Sequence, residues 1–98
     1  MWTTSRYASE ETRRFARRLA SSSGSVFCAR GKKTVAQLAE LARRSGEEAI
    51  FILEERAGKP FRAASARVLE TGGWEWAQII GLDELVAYAG KRKLRSGV

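Results

Sequence analysis

Apolar positions recur along this chain with changing period, and each change marks the border of a predicted element. Trp2-Thr3-Thr4-Ser5 is short and β-prone and predicts a first strand. Ser9 stands before Glu10-Glu11 as a helix cap does, and Thr12, Phe15, Ala16, Leu19 and Ala20 then repeat at three- and four-residue spacing. Arg13, Arg14, Arg17 and Arg18 take the opposite side, so this helix has a core face and a cationic face. Ser21-Ser-Ser-Gly24 breaks the pattern, and Ser25-Val-Phe-Cys-Ala29 reads as a second, buried strand.

Arg30-Gly-Lys-Lys33 leads into Thr34, which forms a capping box with Gln37 at the start of a helix through Val35, Leu38, Ala39 and Ala42. Arg43 and Arg44 suit its negative end, and Ser45-Gly46 stops it. Ala49-Ile-Phe-Ile-Leu53 is apolar without alternation, the pattern of a central strand covered on both faces. Arg56-Ala-Gly-Lys59 predicts a turn, Phe61 to Leu69 a strand with Pro60 at its start, Thr71-Gly-Gly73 a turn, and Trp74 to Ile80 a last strand. Leu82 to Ala89 predicts a short helix capped by Asp83 and stopped by Gly90. The expected fold class is α/β: a β-α-β-α-β unit followed by a β-meander, in a mixed sheet with helices packed on it. Residues 1–90 form one domain in this reading, and residues 91–98, opening with Lys91-Arg-Lys-Leu-Arg95, form a flexible basic tail.

Composition supports a folded chain, with 44% hydrophobic and 30% charged residues and a single Pro among 98. The formal net charge of +7 favours a polyanionic partner, a nucleic acid or an acidic surface. There is no histidine, which excludes imidazole bases, Ser-His-Asp and Cys-His pairs and His-containing metal sites. Cys28 is the single cysteine and lies in an apolar run, as a packed thiol in a reducing compartment would. No apolar stretch approaches the length of about 18 residues that a membrane helix needs, and Met1-Trp-Thr-Thr-Ser-Arg6 lacks the apolar centre of a signal peptide. A soluble cytoplasmic protein is expected.

Right-handed crossovers would make the first three strands parallel and gather their carboxyl ends on one edge of the sheet. Arg6 follows the first strand, Arg30, Lys32 and Lys33 the second, Arg56 and Lys59 the third. Helix starts on that edge would add free N–H groups for phosphate oxygens, and Gly31 would permit close backbone approach. A basic loop before a capped helix is also an ordinary solvated connection, and Glu54 and Glu55 stand near enough to neutralise part of the edge. The Arg13 and Arg17 face is a secondary contact surface, although such residues often serve solubility and Glu10 can pair with Arg13 or Arg14. Phosphate-loop spacing and G-x-G-x-x-G are both absent. The paired glutamates sit at caps and strand ends, so neither an enzyme nor a cofactor or metal is expected. Trp74 and Trp76 share one face of the last strand, where they either fill the core or meet a base or a protein partner.

Thr3-Thr-Ser-Arg6, Glu11-Thr-Arg-Arg-Phe-Ala16 with Leu19, Arg30-Gly-Lys-Lys33 before a helix with Leu38 and Leu41, a hydrophobic strand ending in Glu54-Glu55, Gly58-Lys-Pro60, and Gly73-Trp-Glu-Trp76 occur in this order over about the first 80 residues. Together they resemble the Brix-domain proteins of ribosome biogenesis, archaeal members most of all. The resemblance implies halves related to the anticodon-binding domains of class II aminoacyl-tRNA synthetases, and a noncatalytic role binding rRNA or pre-rRNA during processing and subunit assembly. The family's basic segment corresponds to Arg30, Gly31, Lys32 and Lys33. Where many members have a Gly-Asn-Pro-Gly-like turn, this chain has Gly58-Lys59-Pro60-Phe61. A full Brix domain has two similar halves, and this chain has the length of the first alone. An uncovered face is therefore expected at the Trp/Ile-rich last strand, to be met by a second copy or by an assembly protein. The competing expectation is a protein-interaction module, monomeric or dimeric, that uses Trp74 and Trp76 without direct RNA contact.

Overall fold

A computed structural model describes the backbone of residues 1–96 and the side chains of residues 1–89. The elements run β1 (Trp2–Thr4), α1 (Glu10–Ser23), α2 (Val35–Arg44), β2 (Ala49–Arg56), β3 (Lys59–Val68), β4 (Trp74–Gly81) and α3 (Leu82–Ser96). The sheet order is β1-β2-β3-β4. β1 runs parallel to β2, and the two later pairs are antiparallel, so the sheet is mixed and the α/β class holds.

Local chemistry sets the helix borders. The Ser9 hydroxyl accepts the Thr12 N–H, and Glu10 and Glu11 place negative charge in the first turn of α1. This helix passes through the serines expected to break it and ends at Gly24, whose φ of 68° is left-handed. Serine is only a mediocre helix former, whereas glycine takes the left-handed cap without a steric penalty. In α2 the capping box forms as expected: Gln37 N–H donates to Thr34 Oγ1, and Thr34 N–H donates to Gln37 Oε1.

The strand expected at Ser25–Ala29 is reduced to one parallel bridge between Phe27 and Trp2. The Trp2 N–H donates to Val26 O and the Cys28 N–H to Trp2 O, both at 2.8 Å. With only three residues in β1, the ladder closes after these bonds. β2 is longer than the apolar run, because its polar end pairs onward into the hairpin. Ala57 and Gly58 form the two-residue turn with φ of 53° and 77°, the positive pair that suits the twist of a tight hairpin. Pro60 sits near the start of β3, opposite Glu55 and beside an irregularity at Glu54/Glu55.

Two cores lie on opposite faces of the sheet. Leu53 and Ala63 pack with Trp2, with Ala16 and Leu19 of α1, and with Leu85 and Ala89 of α3. Ile50, Ile52 and Ala66 pack with Met1 and with Leu38, Ala39 and Ala42 of α2. The continuous apolar run of β2 thus has its cause: successive side chains serve different cores, each buried Leu or Ile contributing about 1.5–3 kcal/mol. Cys28, half-buried, packs against the second core.

α3 differs from expectation at both ends. It starts at Leu82, directly after β4, which puts Asp83 in the first turn instead of at the cap. It also passes Gly90 and continues to Ser96, so residues 91–96 of the expected tail are helical. A glycine inside a helix costs only about 1 kcal/mol and does not by itself end it. The last two tail residues, 97–98, lie outside the described residues.

Candidate nucleic-acid interface

The Ser5 N–H donates to Leu53 O at 3.0 Å, extending the β1–β2 ladder by one step before the chain turns away at Arg6 and Tyr7. Beside it runs the loop that carries the chain from the Phe27 bridge to α2. Arg30 fastens this loop to the end of β1: its Nε donates to Lys33 O at 2.8 Å and its Nη1 to Thr4 O at 3.1 Å. The Lys33 N–H closes the turn on Arg30 O at 3.1 Å, and Gly31 takes the left-handed φ of 52° that this tight path needs. Lys33 Nζ returns to Ala29 O at 3.1 Å. Arg6 crosses from the other side, its Nη2 donating to Lys32 O at 3.4 Å.

A cleft of about 390 Å³ opens between these segments. Thr4, Ser5, Tyr7 and Ala8 form one wall, Ala29, Arg30, Gly31 and Lys32 the other, and Arg13 of α1 also lines it. No carboxylate does. Burial first, and the neighbouring Arg6 charge second, push Arg30 below the usual arginine range. Arg13, Arg30 and Lys32 thus line the cleft with Arg6 reaching Lys32 O beside it, an arrangement of cationic groups that suits an anion. Arg13 is partly answered, donating to Glu10 Oε2 at 2.7 Å and to Ala8 O at 2.8 Å. Its hydrogen bond is also the chief reason that Glu10 lies below the usual carboxylate range.

The sequence-based rim is thus assembled in part. Arg6, Arg13, Arg30, Gly31 and Lys32 come together, with Lys33 beside Gly31. Arg17 lies outside the cleft, over the Phe27 ring at 5.1 Å and 3.6 Å from Glu10 Oε1. Lys59 and Arg56 flank the hairpin turn, also outside the cleft wall, and Arg56 stacks over Phe61 at 4.5 Å. The start of α1 already holds an acid and a cap: the Thr12 N–H donates to Ser9 Oγ. Glu55 accepts the Ser9 N–H at 3.0 Å and the Thr12 hydroxyl at 2.5 Å. Strand β2 outlasts its apolar run and brings this acid to the helix end, where its negative charge disfavours a phosphate. Tyr7, 92% exposed in the cleft wall, was missed from sequence. Its one signal there is an aromatic that fits neither the strand before it nor the helix after it.

At the far side of the sheet, Trp74 and Trp76 meet edge to face at 5.0 Å between centroids. Trp74 packs against the α2-side core, whereas Trp76 is 56% exposed. An irregularity between Ser65 and Ala66 skips Ala77, so Trp76 and Ile79 face the same way, opposite Ala66 and Ala64. Among the described residues, no group of three Asp, Glu or Cys side chains is placed to hold a metal ion, and no helix is long and apolar enough to cross a membrane.

No family model and no curated protein matches the chain. Solved structures do. A probable ribosomal biogenesis protein from Aeropyrum pernix K1 superposes with a TM-score of 0.72 at 27% identity, over 80% of this chain and 44% of that one. Mil, an archaeal Imp4-like protein, superposes with a TM-score of 0.62 at 33% identity, over 74% of this chain and 45% of that one. The chain has the Brix-like fold of ribosome-biogenesis proteins. It spans under half the length of these two Brix-like chains. Residues of the two segments Thr3-Thr-Ser-Arg6 and Arg30-Gly-Lys-Lys33, namely Thr4, Ser5, Arg30, Gly31 and Lys32, are among those that line the cleft.

Proposed function

We propose that this chain is a noncatalytic, cytoplasmic factor of archaeal ribosome biogenesis that binds rRNA or pre-rRNA through the cleft between the end of β1 and the loop before α2. The observation that carries this reading is the cleft lined by Arg13, Arg30 and Lys32 with no carboxylate among the described residues of its wall, beside which Arg6 donates to Lys32 O. Arg30 holds the loop in shape through two backbone carbonyls while keeping further N–H groups for a phosphate. Lys32, exposed, and Arg6 add charge on either side, Gly31 admits a close approach, and Lys33 and Arg13 extend the field. Arg17 and Lys59 lie outside the cleft and contribute as longer-range charge. Binding of this kind is driven by counterion release, and its strength falls steeply with salt.

The test is a salt titration of affinity for rRNA fragments, with the wild type and a Lys32→Glu/Lys33→Glu variant. The wild type should lose affinity linearly in log salt. The variant should bind more weakly with a shallower slope, by about 0.7–0.9 per lost phosphate contact. Equal affinity and slope in the two proteins would refute the assignment.

A second surface favours a second copy of the chain. β4 is an edge strand with unpaired backbone groups, and Trp76 and Ile79 are both more than half exposed on one face of it. Antiparallel pairing of β4 with β4 of another copy about a twofold axis would set Trp76 of each opposite Ile79 of the other, with Trp74 behind in the core. Light scattering over a wide concentration range should show a dimer that Trp76→Lys abolishes. A monomer at every concentration would refute this surface.

A further inference from the structure

Tyr7 is the most exposed large hydrophobic side chain among the described residues, and it stands in the wall of a cleft lined by Arg13, Arg30 and Lys32. Among the described residues its ring makes no hydrogen bond, no aromatic contact and no cation–π contact. Its backbone is in the left-handed region, with φ of 59°, a conformation that bulky L-residues rarely adopt. Among the described residues the other non-glycine residue of this kind, Ala57, belongs to a two-residue hairpin turn that requires it. At Tyr7 no hairpin imposes the conformation. The turn instead throws the ring clear of the core, next to Arg6 and across the cleft from Arg30 and Lys32.

We infer that Tyr7 is a stacking platform for one unpaired nucleobase, whose flanking phosphates lie against Arg6, Arg30 and Lys32. This rests on the reading of the cleft as an RNA site and adds the class of RNA. In an A-form duplex the base faces are covered by their neighbours, and a protein ring finds only sugars, phosphates and groove edges. A loop, bulge or end offers a splayed base, and a phenol ring takes any base by its π-face. An aromatic ring among cationic groups is therefore suited to single-stranded segments of folded rRNA, read with little base preference.

The experiment measures binding by fluorescence anisotropy to a single-stranded RNA of about ten nucleotides and to a duplex of the same sequence. Wild type, Tyr7→Ala, Tyr7→Trp and Lys32→Glu are compared across a salt series. Tyr7→Ala should weaken single-strand binding by about fivefold or more, with the salt slope unchanged and duplex binding unaffected, and Tyr7→Trp should restore it. Lys32→Glu should weaken both RNAs and reduce the slope. If Tyr7→Ala binds like the wild type, or loses the duplex equally, the stacking role is overturned while a slope change in Lys32→Glu leaves the cleft standing. If Tyr7→Trp fails as Tyr7→Ala does, the residue shapes the turn and the inference is likewise overturned. If Lys32→Glu changes neither affinity nor slope, or the wild type binds neither RNA, the cleft reading fails and the inference with it.

Discussion

Glu55 closes the amino end of α1 by accepting the Thr12 hydroxyl at 2.5 Å, a bond that joins the end of β2 to the first turn of the helix. The Ser9 N–H reinforces it, and the Ser9 hydroxyl donates to Gly58 O at 2.7 Å, so hairpin and helix are locked together. The Thr12 hydroxyl chiefly, then the Ser9 N–H, holds the Glu55 carboxyl below the usual range. A depressed carboxylate stabilises the fold above the unfolded value of about 4.3, and that contribution is lost as pH falls through the folded value. Glu55→Gln should therefore flatten the acid limb of stability against pH, measured by urea unfolding. Thr12→Val should cost about 1–2 kcal/mol at neutral pH.

Thr3 is fully buried in β1, and its Oγ1 has no hydrogen-bond partner among the described residues. Thr3→Val keeps the shape and removes the desolvated hydroxyl, so it should stabilise the chain by about 1 kcal/mol. Thermal unfolding checks this; a lower melting temperature would show that the hydroxyl is satisfied.

Ala57 pays for a left-handed backbone that asparagine accepts more readily. Ala57→Asn should stabilise by about 0.5–1 kcal/mol, and Gly58→Ala should destabilise by about 1 kcal/mol. Urea midpoints of the two variants should move in opposite directions.

Trp74 and Trp76, two residues apart on one strand, should behave differently. Trp74→Ala removes a ring packed on the α2-side core and should cost about 2–4 kcal/mol. Trp76→Ala removes one that is 56% exposed and should cost about 1 kcal/mol or less in the monomer. Equal losses would mean that exposure does not distinguish them.

Much of this architecture is legible in the sequence because short-range rules set it. Ser9 and the Thr34/Gln37 box start their helices where the pattern places them, and Ala49 to Leu53 forms the central strand its unbroken apolarity predicts. The misreadings have a common cause in tertiary context. Ser25 to Ala29 has strand composition, but β1 is too short to pair with more than its middle. Gly90 has the look of a stop, yet α3 runs through it. In the cleft, Arg30-Gly-Lys-Lys33 declared itself by charge, whereas Glu55 capping α1 depends on a separation of 43 residues that no local pattern reveals. Lys59 follows the same strand as Glu55, and its exclusion from the cleft wall comes from the hairpin that carries it away.

The most direct test of the account is an NMR titration of the labelled protein with an rRNA fragment, following backbone amides residue by residue. Shifts concentrated at Arg6, Tyr7, Gly31 and Lys32, with Lys59 and β4 little changed, are the predicted result. Shifts confined to β4 or to the hairpin, with the amides of the cleft unmoved, would contradict it.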